Sequence, residues 1–343
     1  MLNLTNHQIL LAARPKGEPK PEDFEEVETS ARSPEVGEVL CRTIYLSLDP
    51  YMRGRMNAGK SYAKPVEVGS VMEGGTVGQV LESQHEGLAI GDIVVGPGGW
   101  QEYFTVPGVK VRKVDPAWGP ISTALGVLGM PGVTAYTGLL NIGKPQPKET
   151  LVVAAASGAV GSAVGQIARI KGARSVGVAG SSEKCRFATE EFGFDVCLNH
   201  RDPDFAEQLR AVCPDGIDVY FENVGGKVFD AVLPLLNEFA RIPVCGMIAH
   251  YNSTELPPGP NLTPLILRSI LTKRLTLRGF IVWDFASQEA EALQMMAGWL
   301  QDGQLRYHED VVEGLGSAPQ ALIGLLNGDN FGKVVVRISP EPF

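Results

Sequence analysis

Apolar and polar positions change rhythm once along this chain. In the first third, short runs alternate with period two and are cut by glycine and proline. Asn6–Ala13, Glu25–Thr29, Glu38–Leu46, Gly69–Val80, Ile90–Val95, Trp100–Val106 and Val109–Val114 read as strands, with Gly17–Phe24 a loop. Short strands with glycine corners predict a partly open β-barrel. From Pro120 the spacing turns helical, first over Ile121–Leu128 and then behind Gly129–Gly138. Beyond Thr150, strands at 150–155, 174–179, 196–198, 217–222, 239–245 and 275–282 alternate with helices at 161–171, 183–192, 204–212, 227–237 and 261–272. That alternation predicts a parallel, doubly wound sheet. A helix at 288–301, a strand at 308–312, a helix at 319–326 and a strand at 333–338 close the chain. The β-rich tail resembles the first third, so residues 1–124 and 309–343 are expected to form one domain. Residues 125–308 are expected to form an inserted nucleotide-binding domain, with the active site in the crevice between the two.

The first strand of that inserted domain runs into Ala156-Ser-Gly158-Ala-Val-Gly161. A glycine-lined turn into a helix leaves backbone N–H groups and the positive helix end facing outward, a seat for a diphosphate. The backbone of Ser157, Gly158, Ala159, Val160 and Gly161 is assigned to it, with Gly165 and Ala168 expected to let the helix lie close on the sheet. The first glycine of the usual fingerprint is replaced by Ala156. Dinucleotide folds that take NAD place an acid at the end of the second strand, about 20 residues beyond the glycines. Ser175–Ser182 holds no acid. Lys184, with the Ser181 and Ser182 hydroxyls, can instead receive a 2′-phosphate, so NADPH is preferred over NADH. The bland alternative is a helix start capped by Ser182.

Composition narrows the partners. The chain has 343 residues, 44% hydrophobic and 20% charged, and a net charge of −9. That charge argues against nucleic acid, which needs a basic surface. No apolar run reaches the ~20 residues of a membrane span, and the N-terminal residues do not read as a signal peptide. Five scattered cysteines without a Cys-x-x-Cys suggest neither a disulfide framework nor a zinc knuckle, and a reducing cytoplasm is expected.

Leu48-Asp-Pro-Tyr-Met-Arg53, Gly129-Met-Pro-Gly-Val-Thr-Ala-Tyr136, Ala154-Ala-Ala-Ser-Gly-Ala-Val-Gly161, Gly180-Ser-Ser-Glu-Lys184, Glu222-Asn-Val-Gly-Gly226, Ala249-His-Tyr-Asn252 and Asn330-Phe-Gly-Lys333 follow one another over nearly the whole chain. In these segments it resembles the medium-chain dehydrogenase/reductase superfamily, in its zinc-free branch of NADPH-dependent alkenal, prostaglandin and curcumin reductases. The resemblance implies an α/β protein with a GroES-like barrel as catalytic domain and a Rossmann domain. His200 stands where the prostaglandin reductases have a tyrosine beside the adenosine phosphate. Zinc enzymes of the superfamily need a cysteine, a histidine and an acid in the catalytic domain. Here residues 42–184 lack cysteine, and Val71-Met-Glu-Gly74 replaces the Gly-His-Glu motif, so no metal is expected.

Without a metal, the expected reaction is hydride transfer to the β-carbon of an α,β-unsaturated ketone or aldehyde. A donor must then serve the developing enolate and the α-carbon. Tyr251, beyond the fifth strand of the doubly wound sheet, is the first choice. The resemblance also puts it near the nicotinamide ribose. Tyr51, Phe280, Val282 and Trp283 are expected to line the substrate, and Thr134 and Asn223 the nicotinamide side. By resemblance, Asn330 and Lys333 lie near the cofactor phosphates, and the Leu275–Ile281 strand pairs across a homodimer. A quinone oxidoreductase and a nucleotide-binding protein without catalysis remain as alternatives.

Overall fold

The computed structural model describes residues 4–255 and 259–342. Its chain packs into two compact units, residues 1–126 with 309–343 and residues 127–308.

In the first unit, β1 (Thr5–Leu11) and β2 (Phe24–Ser30) form an antiparallel hairpin. The barrel-like sheet is built on β3 (Glu38–Ser47), β4 (Thr76–Ser83), β5 (Ile93–Gly96), β6 (Tyr103–Pro107) and β7 (Arg112–Lys113). The chain returns at its end to add β14 (Glu309–Glu313) and β15 (Lys333–Arg337), which give the order β14-β15-β3-β4-β5-β7 with β6 also on β3. Helix α1 (Tyr51–Arg55) starts directly behind Pro50, and α9 (Ala318–Asn327) lies between the last two strands. Ile9, Leu11, Leu46, Met52, Met72 and Trp100 form a buried core, with the Trp100 ring stacked on Phe24 at 5.5 Å. The strand expected from Gly69 begins only at Thr76. Gly74 lies so close to the core that a Cβ there would stand 2.8 Å from Leu46 Cδ1, so this glycine stretch is a packed approach before the ladder starts.

The second unit has a six-stranded, wholly parallel sheet: β8 (Thr150–Ala154), β9 (Arg174–Ala179), β10 (Val196–Asn199), β11 (Ile217–Phe221), β12 (Leu236–Val244) and β13 (Thr276–Gly279). Their spatial order is β10-β9-β8-β11-β12-β13, the doubly wound order with its switch point between β8 and β11. Helices α2 (Met130–Gly138), α3 (Ala159–Ile170), α4 (Ser182–Glu190), α5 (Phe205–Val212), α6 (Gly226–Val232), α7 (Thr263–Lys273) and α8 (Glu289–Gln301) complete it. Residues 151–154 are fully buried, as a strand covered on both faces requires. Among the described residues no helix is long and apolar enough to cross a membrane, and all five cysteines are free thiols.

Candidate active site

The ends of β8 and β11 flank the switch point, with those of β9 and β12 beside them. Beyond β8 the chain turns sharply. Ala155 takes a left-handed φ of 55°, and Gly158 caps α3 in extended backbone. Ala156, in place of the first fingerprint glycine, is fully buried, and its methyl faces Gly177 of β9, where a Cβ would stand 2.7 Å away. The bulk missing from one strand makes room for the extra methyl on the next. Gly161 is needed by the loop itself, because a Cβ there would lie 2.2 Å from Ala155 O. Gly165 presses on the Phe194 ring, 2.0 Å from a built Cβ. Ser157 is buried, while Gly158, Ala159 and Val160 stay half-buried at the helix start. Their position leaves the amide end of α3 free for an anion.

Beyond β9, the N-cap is Ser181 rather than Ser182: its hydroxyl accepts the Lys184 N–H at 3.2 Å. The Lys184 side chain is buried. His200 follows β10, with its backbone N–H donating to Ala179 O at 3.0 Å. Its ring and the Arg201 guanidinium both flank Gly180, at 3.5 and 3.8 Å from a Cβ built there. Burial first, and then the charges of Arg201, Lys227 and Lys184, hold His200 below the usual imidazole range. The His200 ring and the Arg201 guanidinium thus stand together at Gly180, next to a strand end without an acid. That donor set suits a phosphate on the adenosine ribose. Arg201 and Lys227 were missed in the sequence because neither lies in a recognisable segment. Only Arg201, directly after His200, offered a signal.

Beyond β11, the Asn223 side-chain amide donates to Ala154 O at 2.8 Å. Its donor is thus committed to tying the β11 and β8 ends together. Beyond β12, a short 3₁₀ turn at Ile248–His250 delivers Tyr251. The half-buried Tyr251 hydroxyl takes the Met247 N–H at 3.4 Å and hangs 3.0 Å from where a Gly246 Cβ would be. Thr134 is buried on α2, its hydroxyl donating to Met130 O at 2.7 Å.

Other expectations change. Lys333, expected near the cofactor phosphates, is engaged inside the first unit. Its ammonium is buried in the first unit, donating to Leu48 O at 2.6 Å and to Asp49 Oδ1 at 2.7 Å. The Asn330 amide closes its own turn on Gly332 O at 2.6 Å. Phe280 is no substrate wall. Its ring is buried against Phe221 and Phe285, and a Cβ on Gly138 would touch it at 2.2 Å. Strand β13 stops at Gly279, so Val282 and Trp283 stand in a 3₁₀ segment, with Trp283 exposed. In the first unit, Tyr51 opens α1 with Arg55 over its ring at 5.6 Å. Burial, with the Asp49 and Glu73 charges adding, pushes the Tyr51 phenol up, so it is a neutral donor. Arg53 is an internal anchor, bonded to Gly17 O and Asn57 Oδ1.

Residues 7–114 match the family described as the N-terminal domain of oxidoreductase, and residues 159–298 the one described as zinc-binding dehydrogenase. The chain is 55% identical to the NADPH-dependent curcumin reductase of Escherichia coli (strain K12), over 98% of both chains. The chain belongs to the zinc-free medium-chain dehydrogenase/reductases of the curcumin, alkenal and prostaglandin type.

Within this family it is 42% identical to the NADP(+)-dependent 2-alkenal reductase of Nicotiana tabacum, covering 98% of this chain and 99% of that one. Its fold matches CurA of Vibrio vulnificus in complex with NADPH with a TM-score of 0.94 and 51% identity, covering 98% of this chain and 100% of that one. The word zinc in the description of residues 159–298 does not extend to this site. Met72, where zinc relatives carry histidine, is a fully buried core side chain, and Glu73 pairs with Arg55 at 2.6 Å. Among the described residues no three histidine, cysteine, aspartate or glutamate side chains group to hold a metal.

Proposed function

We propose that this protein reduces the C=C bond of α,β-unsaturated ketones and aldehydes with NADPH and without zinc. The observation that carries the reading is the pairing of His200 and Arg201 at Gly180, beside an acid-free strand end, in a chain akin throughout to NADPH-dependent reductases of this substrate class. NADPH, when bound, supplies the hydride for the β-carbon. The chain supplies the rest. The backbone of residues 157–161 seats the diphosphate. Ser181, Lys184, His200, Arg201 and Lys227 hold the adenosine phosphate. Thr134 and Asn223 lie on the nicotinamide side. Tyr251 is the proposed catalytic donor, its phenol serving the enolate oxygen or the α-carbon. Tyr51, Val282 and Trp283 are proposed for the substrate, while Lys333, Asn330 and Phe280, whose polar or ring contacts are internal, are left out.

The test is a panel of enones, alkenals, quinones and simple alcohols with NADPH and NADH. Enone and alkenal turnover with NADPH should dominate, and dominant quinone turnover would refute the substrate class. Tyr251→Phe should lower kcat on enones with NADPH affinity kept.

A homodimer through the β13 edge is also proposed. All four β13 residues are exposed, and α7 buries none of its own while exposing Leu265, Leu267 and Leu271. An open strand edge beside an apolar helix is a surface a second copy would cover. Leu271→Glu should yield a monomer by light scattering. A reducing cytoplasm suits its five free thiols.

A further inference from the structure

Glu222, immediately beyond β11, is buried to 3% exposure, although it carries no cation partner. Its Oε1 accepts two backbone N–H groups of the following turn, Val224 at 2.6 Å and Gly225 at 2.8 Å. Its main-chain oxygen accepts two from the next strand end, Cys245 at 2.9 Å and Gly246 at 3.1 Å. Its N–H donates to Pro243 O at 3.0 Å. The turn held by Oε1 starts with Asn223, whose amide reaches Ala154 O. That turn in turn accepts Ile248 N–H and Ala249 N–H on Asn223 O and Val224 O, at 3.2 and 3.0 Å. The corner held by the main chain is the one over which the Tyr251 hydroxyl hangs. One residue thus lies at the root of both turns. Gly225, at φ 77°, lets the first turn close over the carboxyl.

We infer that Glu222 is a positioning residue, a buried carboxyl that fixes the Asn223–Gly226 turn and the Cys245–Gly246 corner in register, so that Asn223 and Tyr251 are presented together. Its Oε2 is buried outside ordinary hydrogen-bond geometry, with the likewise buried Tyr220 hydroxyl beside it. An ionised Oε2 would be an interior charge with only the Tyr220 hydroxyl beside it, below the turn that meets the diphosphate loop. Burial accordingly pushes the carboxyl up, against the backbone N–H bonds that favour its charge. The titratable groups that face it are Tyr220 on its own strand, Cys245 at the end of β12, and His250 across Gly225.

The inference rests on the NADPH reading only for its functional consequence, so the experiment has one arm independent of cofactor. Amide exchange of the cofactor-free protein is compared in wild type, Glu222→Gln and Glu222→Ala. Glutamine keeps the Oε1 acceptor and cannot ionise, so exchange at Val224, Gly225, Cys245 and Gly246 should stay near wild type. Alanine removes the acceptor, so exchange at Val224 and Gly225 should rise, and NADPH Kd should increase roughly tenfold for two lost bonds. As pH rises through the carboxyl's raised range, NADPH Kd of the wild type should rise relative to Glu222→Gln as the buried carboxyl ionises towards the diphosphate. A role in folding alone would move neither this pH difference nor the rescue by glutamine. If Glu222→Ala does not fold, the wild-type and glutamine pH series carries the test. Exchange and affinity of Glu222→Ala equal to wild type would overturn the inference, as would identical pH dependence of wild type and Glu222→Gln. Failure of the wild type to bind NADPH would count against the proposed function alone, and the exchange arm would still decide the role of Glu222.

Discussion

Replacing Lys333 by methionine asks whether the ammonium holds the first unit together or serves the cofactor. Its Nζ is bonded to Leu48 O and Asp49 Oδ1, and the two side chains of the pair are 4% and 7% exposed. The Asp49 Oδ2 accepts from Ser47 Oγ, which is too little to compensate a buried carboxylate. Removing one partner of a buried pair costs about 3–5 kcal/mol. For a domain of this size each kcal/mol lowers Tm by roughly 2–4 °C, so the first thermal transition should fall by roughly 6–20 °C. The loss is in the partner left behind, so Asp49→Asn in the same chain should recover much of it. The assay is thermal unfolding of the cofactor-free protein followed by circular dichroism, with NADPH affinity measured below the transition by fluorescence. A Tm within about 1 °C of wild type, together with a lost NADPH affinity, would refute the internal role and restore Lys333 to the cofactor.

Three further outcomes follow from the same structure. Arg201→Ala and Lys184→Ala should each raise the NADPH Kd by roughly ten- to hundredfold, the loss of a charge-assisted bond, with little change for NADH; equal effects on both cofactors would remove the phosphate role. His200 has a depressed folded pKa, so the stability it contributes is full above its unfolded value of about 6.5 and is lost as pH falls through the folded value. A bound phosphate reverses the surrounding field, so calorimetry near pH 6 in buffers of differing ionisation heat should show proton uptake with NADPH and none with NADH. Gly165→Ala places a methyl 2.0 Å from the Phe194 ring and should cost about 1–3 kcal/mol in urea unfolding, and no measurable loss would show that the helix can shift freely.

Local patterns were legible wherever one short segment contained the whole signal. The apolar runs at Thr150–Ala154 and Arg174–Ala179 mark strands because a strand buried on both faces must be apolar throughout. The loop at Ala155–Gly161 shows its small residues in order, although its strain falls on Ala155, one place before the fingerprint. Residues whose meaning depends on a distant neighbour were harder. Ala156 in place of glycine looked like a defect until Gly177 was found opposite it. Asn223 read as a cofactor contact, and its tie to Ala154 O, which joins two strand ends, shows only in the fold. Arg201 is the chain neighbour of His200, whereas Lys227 acts on it only through the fold.

By itself, then, the sequence determined the alternation of strand and helix, the small-residue turn, the missing acid after the second strand and the kinship of the chain. All of these are properties of neighbours along the backbone. Tertiary structure alone decided which polar groups are spent. Lys333 and Phe280 have the chemistry of ligand contacts, yet the interior takes both. Glu222, with the character of a surface acid, lies buried beneath the turns that carry Asn223 and Tyr251. A hydrogen-bonding group or a ring can satisfy only the partners within its reach, and which partners those are is set by packing.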